Sequence, residues 1–147
     1  MMKNDSTNKW IQETGTFDIN CRRCPRLATF LDGVRARYPD YHGLPVAPFG
    51  DDKAKLLIVG LAPGMHGANA SGRPFTGDHA GIILYDTLFR YGFSTAAESI
   101  SADDGLELIN CRITNAVKSW LHTRFWLRYP RRCCACQGAA RWQLLGT

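Results

Sequence analysis

The residues best suited to chemistry in this chain lie in a glycine-rich run. It reads Gly60-Leu61-Ala62-Pro63-Gly64-Met65-His66-Gly67-Ala68-Asn69 and continues as Gly72-Arg73-Pro74-Phe75-Thr76-Gly77-Asp78. Glycines let backbone amides approach a ligand closely, so the run could cradle a phosphate or a planar base. It lacks the Lys-Ser/Thr ending of a P-loop and the GxGxxG spacing of a dinucleotide fold. A small domain binding a free nucleobase or nucleotide therefore rests on the glycines alone. Taken one at a time, the polar and aromatic candidates also have ordinary explanations. Asp78 just before a helix would cap it, Asn115 at a strand end would form a turn, Phe75 would fill core, and His66 would be a structural loop residue.

Cysteines are the second source of chemistry. Cys21-Arg22-Arg23-Cys24 is a CxxC pair, and Cys133-Cys134-Ala135-Cys136 contains another. Residues 1–19 are polar and lack the layout of a signal peptide, and no run approaches the roughly 20 apolar residues of a membrane span. The expected compartment is the cytoplasm, where cysteines more often hold metals than form structural disulfides. Cys21, Cys24, Cys133 and Cys136 could form a four-thiolate zinc site. Their separation, however, far exceeds the roughly 15–20 residues between pairs in a compact zinc ribbon.

The elements that must position these groups follow from periodicity. Residues 1–20 form a polar extension. Leu27, Phe30, Leu31 and Val34 recur at helical spacing, and Pro39 ends that helix near Tyr38. A Pro- and Gly-rich loop covers residues 42–52. Residues 55–61 form a short apolar run, expected to be a strand buried on both faces as in a parallel sheet. After Asp78, which could cap it, a helix presents Ile82, Tyr85, Leu88 and Phe89 on one face, and Gly92 stops it. Residues 107–117 alternate Ile109, Cys111 and Ile113 on one side of a second strand. Helix, strand, helix, strand predicts an α/β fold, a three-layer sandwich around a mainly parallel central sheet.

The charge is unevenly written. The formal net charge is +5, yet residues 1–118 hold thirteen Lys and Arg against thirteen Asp and Glu. The excess comes from Arg124, Arg128, Arg131, Arg132 and Arg141, so bulk charge argues only weakly for phosphate binding. Residues 119–147 contain no Asp, Glu or Lys, but three of the four Trp and three of the six Cys.

Three segments in order carry a family resemblance. Cys21-x-x-Cys24-Pro25-Arg26-Leu27, the glycine-rich run to Asp78, and Cys111-Arg112-Ile113-Thr114-Asn115-Ala116-Val117-Lys118 together resemble the N-terminal half of the iron–sulfur uracil-DNA glycosylases of family 5. The resemblance covers residues 21–118 and implies hydrolysis of the N-glycosidic bond of uracil, and of other deaminated bases, in DNA. Such enzymes flip the damaged nucleotide into a pocket. On that pattern Asp78 orients or deprotonates the attacking water, because Ala62 stands where many other glycosylases place a polar residue. Phe75 stacks on the flipped base, and Asn115 pairs with the pyrimidine edge. Amides near Leu61 and Ala62 receive the charge developing on the base, and His66 contacts phosphate or base.

The resemblance also implies a [4Fe–4S] cluster, with Cys21 and Cys24 as two of four thiolates. It puts the third ligand at Ser119, and a serine hydroxyl is a poor iron ligand. The family's Pro-rich loop, fourth Cys and late His-containing motif are not present after Lys118, and the composition shift there fits an out-of-frame tail over residues 119–147. The expectation is an incomplete, weakly active or inactive monomeric DNA-repair domain. The alternative is a non-catalytic zinc-bound nucleic-acid or protein adaptor using the Arg- and Trp-rich tail.

Overall fold

The computed structural model describes residues 17–120. Helix α1 spans Pro25–Arg37. It begins with a proline, whose missing N–H is harmless in the first turn. It ends where the Tyr38 amide donates to the Val34 carbonyl at 2.8 Å, one residue before Pro39. Ala28, Leu31 and Val34 are its buried side, and Phe30 stacks on Trp120 with ring centroids 4.7 Å apart.

Three strands form one sheet: β1 (Phe49–Gly50), β2 (Leu56–Gly60) and β3 (Cys111–Asn115), in the order β1-β3-β2. β2 and β3 run parallel, with Ile58 opposite Ile113 and Gly60 opposite Asn115. β1 pairs antiparallel to β3, with Phe49 opposite Ile113. The sheet among the described residues is therefore small and mixed: the longer pair is parallel, and the short edge strand β1 is antiparallel. The cause is local. β1 is two residues long, too short for any period, and lies within the Pro- and Gly-rich loop. Gly50, at φ 103, leaves so little room that an added Cβ would stand 2.3 Å from the Cys111 carbonyl.

The expectation that β2 is buried on both faces is corrected. Leu56 and Ile58 pack on the core, while Leu57 and Val59 remain 42% and 41% exposed. Alternating burial is the mark of a sheet covered on one face. The second strand is shorter than its sequence pattern. Asn110 takes a left-handed φ of 50 and breaks the alternation, so Ile109 is exposed and only Cys111 and Ile113 turn inward.

The short helix α2 (Ala68–Ser71) and helix α3 (His79–Arg90) complete the elements. Tyr85 and Leu88 of α3 join Leu106, Leu108, Cys111 and Ile113 in the core. The Tyr85 hydroxyl donates to the Pro74 carbonyl at 2.8 Å. Ile82 and Phe89, expected on this face, are mostly exposed. Gly81 and Tyr85 take the inner side because the first turn of α3 lies directly on the loop before it. A Cβ at Gly81 would stand 1.7 Å from the Phe75 carbonyl oxygen. Gly92, at φ 76, follows the end of α3 as expected.

Candidate functional site

The site candidates lie where the parallel pair β2–β3 ends, and a glycine brings two of them together. Gly60 closes β2 opposite Asn115, and past it the Ala116 amide still donates to the Gly60 carbonyl and the Val117 amide to that of Leu61. A Cβ at Gly60 would come within 2.3 Å of Asn115 Oδ1 and 2.7 Å of Phe75 Cζ. The Asn115 amide and the edge of the Phe75 ring thus converge over the same bare backbone. Phe75 holds a left-handed φ of 59, unusual for an aromatic residue, and its ring packs partly against the core. Asn115 is 3% exposed. Its backbone carbonyl accepts from Lys118 Nζ at 2.8 Å. Among the described residues its side-chain amide makes no hydrogen bond, which leaves both donor and acceptor capacity unspent.

Asp78 stands at the N-cap position of α3, but its carboxylate does not cap that helix. It turns back and accepts from the Ala68 amide at 3.3 Å. The loop is shaped to admit it, since a Cβ at Gly64 or Gly67 would lie 2.3 or 1.8 Å from Asp78 Oδ1. One amide leaves most of the carboxylate's acceptor capacity open, as a base acting on water requires. His66 lies between these two glycines and is exposed. Leu61 and Ala62 leave the carboxyl end of β2, with the Leu61 side chain 57% exposed.

Sequence reasoning missed two supports of this loop. Tyr41 Oη lies 2.9 Å from His66 Nδ1, and Tyr38 stacks on Tyr41. Two tyrosines three residues apart around Pro39 were the signal. The other support is Arg73, 5% exposed, whose guanidinium reaches Asp104 at 2.6 Å, the Ser99 hydroxyl at 2.9 Å and the Ala102 carbonyl at 2.7 Å. It also lies over the Phe49 ring, 4.4 Å from the centroid. Burial works against the charge of Asp104. The amides of Leu106, Ile100 and Ser101 and the Arg73 guanidinium more than offset it, holding this carboxyl well below the ordinary range. Thr76 and Ser99 hydroxyls meet at 2.7 Å, so residues 99–104 are tied to both sides of Phe75.

Lys118 is placed by hydrogen bonds to Thr114 Oγ1 and the Asn115 carbonyl. Burial, then the nearby Arg112 charge, brings its amine down to about 8.

The cysteines lie apart on the chain, ahead of α1. Cys21 and Cys24 each take part in a disulfide, and among the described residues no three His, Cys, Asp or Glu side chains gather to hold a metal ion. Cys111 is buried within the sheet, where desolvation raises its thiol. Ser119, at the third ligand place implied by the resemblance, is 2% exposed and offers a hydroxyl. Cys133 and Cys136 lie outside the described residues. No helix among those described is long and apolar enough to cross a membrane.

Comparison with known proteins follows the same residues. The sequence model of the Uracil DNA glycosylase superfamily matches residues 47–144. Three relatives, each named Type-5 uracil-DNA glycosylase, come from Pyrobaculum aerophilum, Thermus thermophilus and Mycobacterium leprae. The first is 46% identical over 104 residues, covering 68% of this chain and 46% of the relative. The second is 45% identical over 103 residues, covering 67% and 47%. The third is 45% identical over 104 residues, covering 67% and 45%. The chain thus spans somewhat less than half the length of these relatives.

Proposed function

We propose that this chain, which belongs to the Uracil DNA glycosylase superfamily, recognises uracil flipped out of DNA and cuts its N-glycosidic bond by hydrolysis. The observation that carries the reading is the convergence of Phe75 and Asn115 at Gly60, with the Asn115 amide unsatisfied. Phe75 presents an aromatic edge and face to a flipped base. The Asn115 amide can donate to O4 and accept from N3–H of uracil. Asp78 takes a proton from water as the water oxygen bonds to C1′ and the bond from C1′ to N1 breaks. The electrons of that bond leave with the uracil, whose negative charge the amides near Leu61 and Ala62 receive. His66 contacts the flanking phosphate or the base. Uracil-containing DNA is the partner, and the chain acts as a cytoplasmic monomer in base excision repair.

The rate is expected to be low. The resemblance puts a serine, Ser119, at the third ligand place of the iron–sulfur cluster, and the outer face of β2 leaves Leu57 and Val59 in water. The composition of residues 119–147 supports an out-of-frame tail, against a family match that runs on to residue 144. The coding DNA decides between them: a one-base shift at Lys118 either restores a Cys and a Pro-rich continuation or does not. The comparisons lend no support to the zinc-adaptor alternative.

Purified chain incubated with uracil-containing single- and double-stranded DNA tests the main reading. The expected result is slow release of free uracil, lost in Asp78→Ala and strongly reduced in Asn115→Ala. Release that ignores both substitutions, or none under any condition, would overturn it.

A further inference from the structure

We infer that Tyr38, Tyr41 and His66, together with the arginines of α1, form a second contact surface that holds an unpaired stretch of DNA beside the flipped nucleotide. The inference rests on the glycosylase reading for the identity of the nucleic acid, but not for the surface itself. The two tyrosine rings stack at 4.7 Å and 15°. His66 stands edge-on to both, at 5.8 and 5.9 Å. When the Tyr41 hydroxyl donates to His66 Nδ1, the ring proton lies on Nε2, where it can donate to a phosphate oxygen. Arg37 lies over Tyr38, 5.6 Å from its centroid.

The electrostatics match such a strand. Residues 1–118 are neutral as a whole, but residues 21–38 hold five arginines and one acid, Asp32. Asp32 is shared between Arg22 and Arg35, so one negative charge serves two guanidiniums. Arg26 and Arg37 fall within roughly 20° of each other around the helix. Positive charge thus runs along α1 and ends at the aromatic stack. A single strand needs interleaved cations and aromatic rings, for backbone phosphates and base faces respectively; here the two tyrosines are half-buried and His66 is exposed beside them. In a duplex the base faces are already stacked on one another, so an aromatic pair has little to meet. The surface adjoins the candidate carboxylate, because His66 sits between Gly64 and Gly67, whose backbones enclose Asp78. A strand leaving a flipped nucleotide would cross it.

Fluorescence anisotropy of the full chain with a labelled, uracil-free oligonucleotide, single-stranded and as a duplex, tests this without any need for excision. The wild type is expected to bind the single strand more tightly. Tyr38→Leu and Tyr41→Leu should each weaken that binding about five-fold or more, whereas Tyr38→Phe restores it. Arg26→Gln with Arg37→Gln should flatten the salt dependence by roughly one to two charges, and Arg90→Gln on α3 should not. Unchanged affinity in both leucine variants, equal loss in the phenylalanine variant, or no single-strand binding by the wild type would overturn the surface. Uracil release measured in parallel separates the two readings. Loss of oligonucleotide binding without any uracil release in the wild type would sink excision and leave the surface standing, and the reverse pattern would sink the surface alone.

Discussion

Replacing Arg73 with methionine removes the cation that ties residues 99–104 to the loop carrying Phe75. The side chain is nearly buried and makes a charge-assisted bond to Asp104, bonds to Ser99 and Ala102, and a contact with the Phe49 ring. Breaking a buried ion pair by deleting one partner costs about 3–5 kcal/mol. Asp104 would keep three backbone amides, from Ile100, Ser101 and Leu106, so its charge would not be orphaned. The loss should fall at the low end, about 3 kcal/mol. Asp104→Ala instead leaves the guanidinium with a hydroxyl, a carbonyl and the face of Phe49 but no opposite charge, and about 4 kcal/mol is expected. Against a typical total of about 5–15 kcal/mol, either change is severe. Because the two residues act through each other, the double variant should lose about 1 kcal/mol or more less than the sum of the single losses. Acid supplies an independent check. Asp104 is held below its unfolded value, which lies near 4, so its contribution is intact above that pH and drains away as pH falls further. Arg73→Met should flatten that acid limb. Urea unfolding followed by circular dichroism at pH 7 and at steps down to pH 3 measures both effects. A loss below about 1 kcal/mol, or losses that simply add, would refute the idea that the pair clamps the loop.

Other outcomes follow from the same geometry. Gly60→Ala should reduce uracil excision about 100-fold, because a misplacement on the ångström scale at a reacting centre carries that penalty; its added methyl must push both Asn115 and Phe75, and wild-type kinetics in this variant would contradict the assigned contacts. Lys118, lowered to about 8, favours its neutral form in the folded state, so stability should rise from about pH 8 toward pH 10. A denaturation series in that range should show the rise in wild type and not in Lys118→Met. Purified chain should carry less than a full complement of iron and acid-labile sulfide, because a serine, Ser119, stands at the third ligand place that the resemblance implies. Stoichiometric iron with the visible iron–sulfur absorbance in the wild type would refute this.

The sequence by itself determined a good deal. Helices α1 and α3 and the cores of β2 and β3 were legible because each has a clear period and a marked end, Pro39 for α1 and Gly92 for α3. The glycine-rich loop was legible as the place for chemistry because five glycines within residues 60–77 signal close backbone approach. The tertiary structure alone decided what approaches them. That the Gly60 backbone is bare for Asn115 and Phe75, and that Gly64 and Gly67 are bare for the Asp78 carboxylate, depends on residues far apart in sequence meeting at one sheet end. Asp78 illustrates the limit. Its position before α3 predicts a cap, yet the side chain turns to Ala68, since side-chain direction is set by the neighbours a fold supplies and not by the residue's place along the chain. The mixed sheet was hidden for a related reason. β1 has two residues and no period, and it exists only because β3 is there to pair with it.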